Sequence, residues 1–213
     1  MGANRARGQR VGLTRQAVLE AAVRLVDREG LKALSMRRLG AELGVEAMTL
    51  YHHVPNKSAL LDGMIEQVVA EAVPPEFGAA TWREDLRAYA HALMAALGAH
   101  PHAVPLLLSR PAMTPRNLRT MEAVVEMLSG AGFPLPRTLD VLYSLTSFVV
   151  GHAAAQAGSV DGAGGLASLD PEAYPLLVSA AGEAGEDAAG ARFDFALEAL
   201  LSGFERELAL PRG

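Results

Sequence analysis

Apolar residues return every three or four positions along most of this chain, and no stretch alternates apolar with polar in the two-residue period of a strand. Thr14 is a good helix cap, and behind it Val18, Ala22, Leu25 and Val26 form a stripe that stops at Gly30. Ser35 caps a second, short helix carrying Leu39 and Leu43, closed by Gly44. A third segment runs from about Ala47 to His53 and is stopped by Pro55, which disfavours helix at the residue before it. Asn56 then caps a longer helix with Leu60, Leu61, Met64, Ile65, Val68 and Val69 on its apolar face, ended by Pro74 and Pro75.

Beyond a linker, Thr81 caps a helix bearing Trp82, Leu86, Tyr89, Leu93 and Leu97, which His100-Pro101 ends. A short apolar piece, Val104 to Leu108, precedes a helix from about Pro115 to Leu128 and another from about Pro136 to Ala157. Residues 158–190 hold seven glycines and read as loop around a short helix near Pro171 to Ala181. Phe193, Leu197, Leu200, Leu201, Phe204 and Leu208 mark the last helix. The pattern predicts an all-α protein without internal repeats.

Composition agrees. Half of the 213 residues are apolar but only 5% aromatic, so Ala, Leu, Val and Met supply the core, a mix that favours helices over sheets. Without cysteine there is no disulfide scaffold, thiol nucleophile or Cys-ligated zinc finger. No apolar run follows the first ten residues, as a secretory signal requires, and Ala6 stands where a myristoylation pattern wants Ser or Thr. The longest uncharged apolar stretch, Val141 to Gly151, covers eleven residues, against the roughly twenty of a membrane span. A cytoplasmic protein is expected.

Charge is divided unevenly. Residues 1–57 carry ten Lys/Arg against five Asp/Glu, and residues 58–213 carry nine against nineteen. A basic head on an acidic body suits a polyanion at the head, although three of the ten cations (Arg5, Arg7, Arg10) lie in a flexible arm, residues 1–12.

Helices of about fifteen, eight and seven residues with a tight turn at Gly44 match a helix-turn-helix over residues 13–56, with Leu39, Leu43, Val45 and Leu50 where its helices touch. A seven-residue helix spans about 10 Å, which suits the roughly 12 Å of a major groove. More specific is Ser35-x-Arg-Arg-Leu-x-x-x-Leu-Gly-Val followed by TLYHHVPNKSALLD, Thr49 to Asp62. From Thr14 to about Val69 the chain resembles the DNA-binding domain of the TetR family of bacterial transcriptional repressors, and the resemblance continues more loosely beyond.

The resemblance implies that Thr49, Tyr51, Lys57 and His53 anchor phosphates, contacts that fix register without reading sequence. It puts Arg37 on a guanine edge, a geometry the bidentate guanidinium favours, and makes Ala47, Met48 and His52 the base-reading positions. Ala47 and Met48 offer apolar contact, for example to thymine methyls, and His52 a donor or acceptor. Outside such a motif Arg37-Arg38 reads as a solvated face, and Arg38 stays unassigned; Tyr51 also suits packing against the first helix. His52 and His53 point about 100° apart on a helix, so they form no metal site.

The family also implies a homodimer on a double-stranded operator, with the helices at 136–157 and 192–208 pairing across a two-fold axis. The terminal stripe equally suits a monomer core. Residues 57–73 connect the head to a ligand-binding and dimerisation domain, 81–210. Candidate walls of a pocket for a largely apolar small molecule are Tyr89, Leu93, Met94, Met121, Val125, Tyr143 and Ser147, each of which also reads as core.

The Trp82-Arg-x-x-Leu-Arg opening and the Gly132-Phe133 turn resemble the tetracycline repressors, which hold a magnesium chelate through a histidine and a glutamate. Here Leu106 or Leu107 and Ala155 or Gln156 stand near those positions, so no metal or cofactor is implied. The imidazoles of His100, His102 and His152 read as helix-end or core groups. A nucleophile elbow, a P-loop and a dinucleotide fingerprint are absent from the sequence, and Gly162-Ala-Gly-Gly follows no strand. The expected function is a repressor released by a small molecule; a constitutive or activating DNA-binding regulator is the alternative, and an enzyme the remote one.

Overall fold

A computed structural model describes residues 13–73, 77–78, 81–110, 113–158, 169–183 and 188–209. The basic arm and the Gly162-Ala-Gly-Gly loop lie outside these residues.

The caps fall where their chemistry demands. The Ala17 amide donates to Thr14 Oγ1 at 3.1 Å to open α1 (Arg15–Glu29), and the Arg38 amide donates to Ser35 Oγ at 3.1 Å to open α2 (Met36–Leu43). Gly44 closes α2 in the left-handed region at φ 67°, which costs glycine no Cβ clash. After α3 (Ala47–Leu50), the Ala59 amide donates to Asn56 Oδ1 at 2.8 Å and starts α4 (Lys57–Ala72).

Thr81 and Glu84 form a reciprocal capping box on α5 (Trp82–Ala99). Then come α6 (Val104–Ser109), α7 (Pro115–Gly130), α8 (Leu135–Gly158), α9 (Pro175–Gly182) and α10 (Ala188–Ala209). All regular elements among the described residues are helical.

Two expectations change. Instead of a seven-residue rod, α3 is a single four-residue turn. The His52 and His53 amides bond three residues back, to the Thr49 and Leu50 carbonyls, because the chain must leave the helix before Pro55. Near Pro171 the helix begins only at Pro175, and Leu176 on it is 84% exposed. Short 3₁₀ turns at Leu31–Ala33 and Pro101–Ala103 join neighbouring helices.

One continuous core runs through the molecule. Leu19, Leu25, Leu39, Leu50 and Leu60 fill its head end, and Leu86, Leu93, Leu97, Leu128 and Leu145 its body. Helix α4 belongs to both ends: it packs on α1 on one side and on α5 and α7 on the other. The junction is also polar. His100 Nδ1 lies 2.8 Å from Asp27 of α1 and its Nε2 3.3 Å from Glu71 of α4, and His102 Nδ1 is 3.0 Å from the Val26 carbonyl. These histidines sit at a helix end, as their sequence position suggests, and His152 packs against Phe148 and Phe193.

Candidate nucleic-acid interface and ligand cavity

The head presents its short helices on a rigid base. A Cβ on Gly40 would stand 2.8 Å from the Val45 carbonyl oxygen and 3.2 Å from the Ala47 amide nitrogen. Glycine at position 40 therefore lets α3 cross α2 in backbone contact, a requirement the sequence pattern does not reveal. Leu39 and Leu50 are fully buried at this crossing, and Leu43 and Val45 half-buried.

Ion pairing sorts the cations of the head. Arg38 closes a bidentate pair with Glu29 at 2.6 and 3.2 Å, which pulls the Glu29 carboxyl below its ordinary range. Arg28 pairs with Glu42 at 2.9 Å and Arg15 with Glu66 at 3.4 Å. Arg37 is exposed near the start of α2 and has no ion-pair partner among the described residues. The adjacent arginines thus divide: Arg38 braces the head and Arg37 is available to an incoming anion or base.

Lys57 is exposed at the first position of α4 and donates to the Leu34 carbonyl at 3.0 Å, tying α4 to the entry of α2. One of its three donors is so used. Met48 is 69% exposed and Tyr51 41%, so the Tyr51 ring is not part of the core. His52 is exposed too, while Ala47, Thr49 and His53 are half-buried. These eight residues come from the α2 N-terminus, α3 with its following turn, and the α4 N-terminus.

In the body, a cavity of about 360 Å³ lies among α4, α5, α6, α7 and α8. Five of the seven residues expected for a pocket line it: Tyr89, Leu93, Met121, Tyr143 and Ser147. Met94 and Val125 do not. Each is next in sequence to a lining residue, Leu93 and Val124, and one helical step turns a side chain by about 100°. Met94 packs on the core instead, and Val125 is half-buried on α7.

Burial pushes the Tyr89 phenol up to about 12, an effect its hydrogen bond with Thr146 partly offsets. From α4 come Ile65 and Val69, and from the end of α6 Arg110, the one charged side chain among the described lining residues. The sequence reading missed Arg110 because an isolated arginine before Pro111 carries no periodic signal. Its Nη2 donates to Ser58 Oγ at 2.7 Å, its Nη1 to the Ser58 carbonyl at 3.4 Å, and its Nε lies 3.3 Å from Asp62 Oδ1.

A larger groove of about 810 Å³ lies between the start of α5 and the outer side of α7, with Phe77, Trp82, Arg116, Arg119 and Met127 along it. None of the residues expected for a ligand lines that groove. Among the described residues no group of three His, Asp or Glu could hold a metal ion, and no single helix is long and apolar enough to cross a membrane.

Comparison with known proteins agrees with this architecture. Residues 18–64 match the family described as bacterial regulatory proteins, tetR family, and residues 74–208 match the tetracyclin repressor-like C-terminal domain. The chain is similar to the HTH-type transcriptional repressor DrrR1 of Streptomyces coeruleorubidus, at 34% identity over 97% of this chain and 83% of that one. It is 31% identical to the class D tetracycline repressor protein of Escherichia coli, over 92% and 91% of the two chains. The crystal structure of the Streptomyces coelicolor protein ActR with actinorhodin superposes with a TM-score of 0.77 at 28% identity, covering 94% of this chain and all of that one. With head and body both matched, the chain belongs to the TetR family of bacterial transcriptional repressors.

Proposed function

We propose that this repressor binds a palindromic operator as a homodimer and is released when a largely apolar small molecule occupies the cavity among α4 to α8. The observation that carries the reading is the double duty of α4. Lys57 opens it at the exposed edge of the head, and Ile65 and Val69, two to three turns on, form part of the cavity wall. Eight residues of helix separate Lys57 from Ile65, about 12 Å at 1.5 Å per residue. A ligand that displaces this wall moves the start of α4, and with it the spacing of two heads that must meet half-sites about 34–36 Å apart or a multiple of it.

In this reading Thr49, Tyr51, His53 and Lys57 hold phosphates, while Arg37, Ala47, Met48 and His52 face base edges. Residues 13–56 act as the reading head, 57–73 as the connector, and 81–210 as the sensing and pairing unit.

Pairing through α8 and α10 is supported by their exposed apolar residues. Leu135, Leu139 and Tyr143 follow one another at four-residue intervals on α8 with exposures of 63, 41 and 56%, and Phe195 on α10 is 78% exposed. The terminal stripe is divided: Phe193, Leu197 and Leu201 are buried in the chain's own core, and Leu200, Phe204 and Leu208 pack on it half-buried, leaving part of each to a partner.

The ligand of ActR in its crystal structure, actinorhodin, motivates a screen that starts from that compound. The expected outcome is salt-sensitive retention of duplex DNA from upstream of its own gene, and a compound that raises the melting temperature and lowers that retention together. Release by a hundredfold requires about 2.7 kcal/mol of differential binding between the two states. Retention with no stabilising compound favours a constitutive regulator, and no retention at all overturns the proposal.

A further inference from the structure

We propose that the effector is an organic acid, an apolar body with one carboxylate or sulfonate, and that Arg110 receives the acid group in exchange for its contacts with Ser58 and Asp62. The inference rests on the reading of this cavity as the effector site, and it adds the chemical class and the exchange.

The walls explain the apolar body. Ile65, Val69, Leu93, Leu107, Leu142 and Val150 supply apolar surface around about 360 Å³, room for two or three fused rings. The polar handles explain the acid. Ser109 Oγ donates to the Leu106 carbonyl, Thr120 Oγ1 to the Arg116 carbonyl, and Tyr89 is hydrogen-bonded with Thr146; the other polar lining groups, Asn117, Tyr143 and Ser147, are neutral and carry no preference for an anion.

Arg110 differs. A guanidinium has five N–H donors in a planar fork, and three of them face α4. Its ionic partner Asp62 is about one-third exposed, at 3.3 Å. With both side chains partly open to water, such a pair is screened and contributes modestly. An acid group seated beside the apolar walls can form a bidentate pair with the same fork, a geometry the Asp62 contact through Nε alone does not have, and so outcompete it.

Ser58 and Asp62 lie in the first two turns of α4, directly after Lys57. Transfer of Arg110 to a ligand therefore unfastens the end of α4 that borders the head. Weakening the Asp62 contact shifts the population toward the unfastened state, which strengthens acid binding and weakens operator binding.

The test uses two fluorescent probes with the same aromatic body, 1-anilinonaphthalene-8-sulfonate and the uncharged N-phenyl-1-naphthylamine, titrated into the full-length protein. The sulfonate is expected to bind at least about tenfold more tightly. Arg110→Gln should bring the two within about twofold, and Asp62→Asn should tighten the sulfonate severalfold while leaving the neutral probe unchanged. A variant with both Arg116→Gln and Arg119→Gln should retain the preference, because the outer groove is not the site.

Equal binding of the two probes to the wild-type protein, with a raised melting temperature, overturns the acid class but leaves the effector cavity standing. A preference that survives Arg110→Gln, or that disappears in the Arg116/Arg119 variant, overturns the assignment to Arg110. Binding of neither probe overturns both the inference and the cavity reading. Thermal melts establish that each variant is folded; should Arg110→Gln not fold, the opposite responses of the two probes to Asp62→Asn decide the question.

Discussion

The head and the body are both helical and share one leucine-rich core, yet on the proposed reading they hold their function in opposite ways. In the head, the proposed contacts are side chains placed outward on α2, α3 and the start of α4: the core below is closed, Arg38, Arg28 and Arg15 are pinned by carboxylates, and Arg37 and Lys57 stand at helix starts. In the body, the proposed function rests on missing packing, a cavity among five helices with a single cation among its described lining residues. A head of this kind works only if nothing moves inside it. A body of this kind works only if something can.

The sharpest way to break that contrast is to overfill the head. In Gly40→Ala the new methyl meets the Val45 carbonyl and the Ala47 amide, backbone groups that cannot rotate aside. Overpacking of about 1–3 kcal/mol and a displaced α3 should lower operator affinity on the order of a hundredfold. Binding of N-phenyl-1-naphthylamine to the body should change by less than about twofold. A parallel loss of probe binding means that the two regions share one rigid unit and the contrast fails.

A smaller effect divides the head itself. Arg37→Ala should cost about 1–3 kcal/mol, confined to one base position of the operator. Lys57→Ala should weaken all duplexes alike and reduce the salt dependence by about one phosphate per subunit. Binding measured across salt concentrations, on operators permuted base by base, separates them; identical behaviour means that anchoring and reading are not distributed as proposed.

The same contrast explains what was legible in the sequence. Caps at Thr14, Ser35, Asn56 and Thr81 and the stop at Gly44 are local signals, and each element opens or closes where they stand. Helix α3 came out short because the constraint that ends it, the turn into Pro55, competes with its helical periodicity. A close approach such as that at Gly40 depends on two segments meeting, which periodicity cannot express. Cavity walls are legible only by face: Leu93 and Val124 line the cavity while their neighbours Met94 and Val125 turn away. Arg110 is legible least, since its significance arises from Ser58 and Asp62, about fifty residues earlier in the chain.

The smallest expected effect concerns how the body holds its terminal helix. Arg83 and Arg87 on α5 both clamp Glu198 of α10, at 2.9 and 2.6 Å, and Arg83 also reaches Ser202 and Glu205. The hydrogen bond from Arg87, with Arg83 beside it, draws the Glu198 carboxyl from its ordinary 4.5 down to about 2. A carboxyl depressed on folding contributes stability that is complete above about 4.5 and is lost as pH falls toward 2. Glu198→Gln should therefore lower the melting temperature by a few degrees at pH 7. The gap between variant and wild type should narrow through pH 4 and close near pH 2, with operator affinity at pH 7 unchanged where pairing of α10 is intact. Because Glu198 is 44% exposed, solvent screens the clamp and the shift stays small. A melting difference that is flat from pH 7 to pH 3 assigns the effect to lost packing on α10 instead of charge, and the body then resembles the head, held by its core alone.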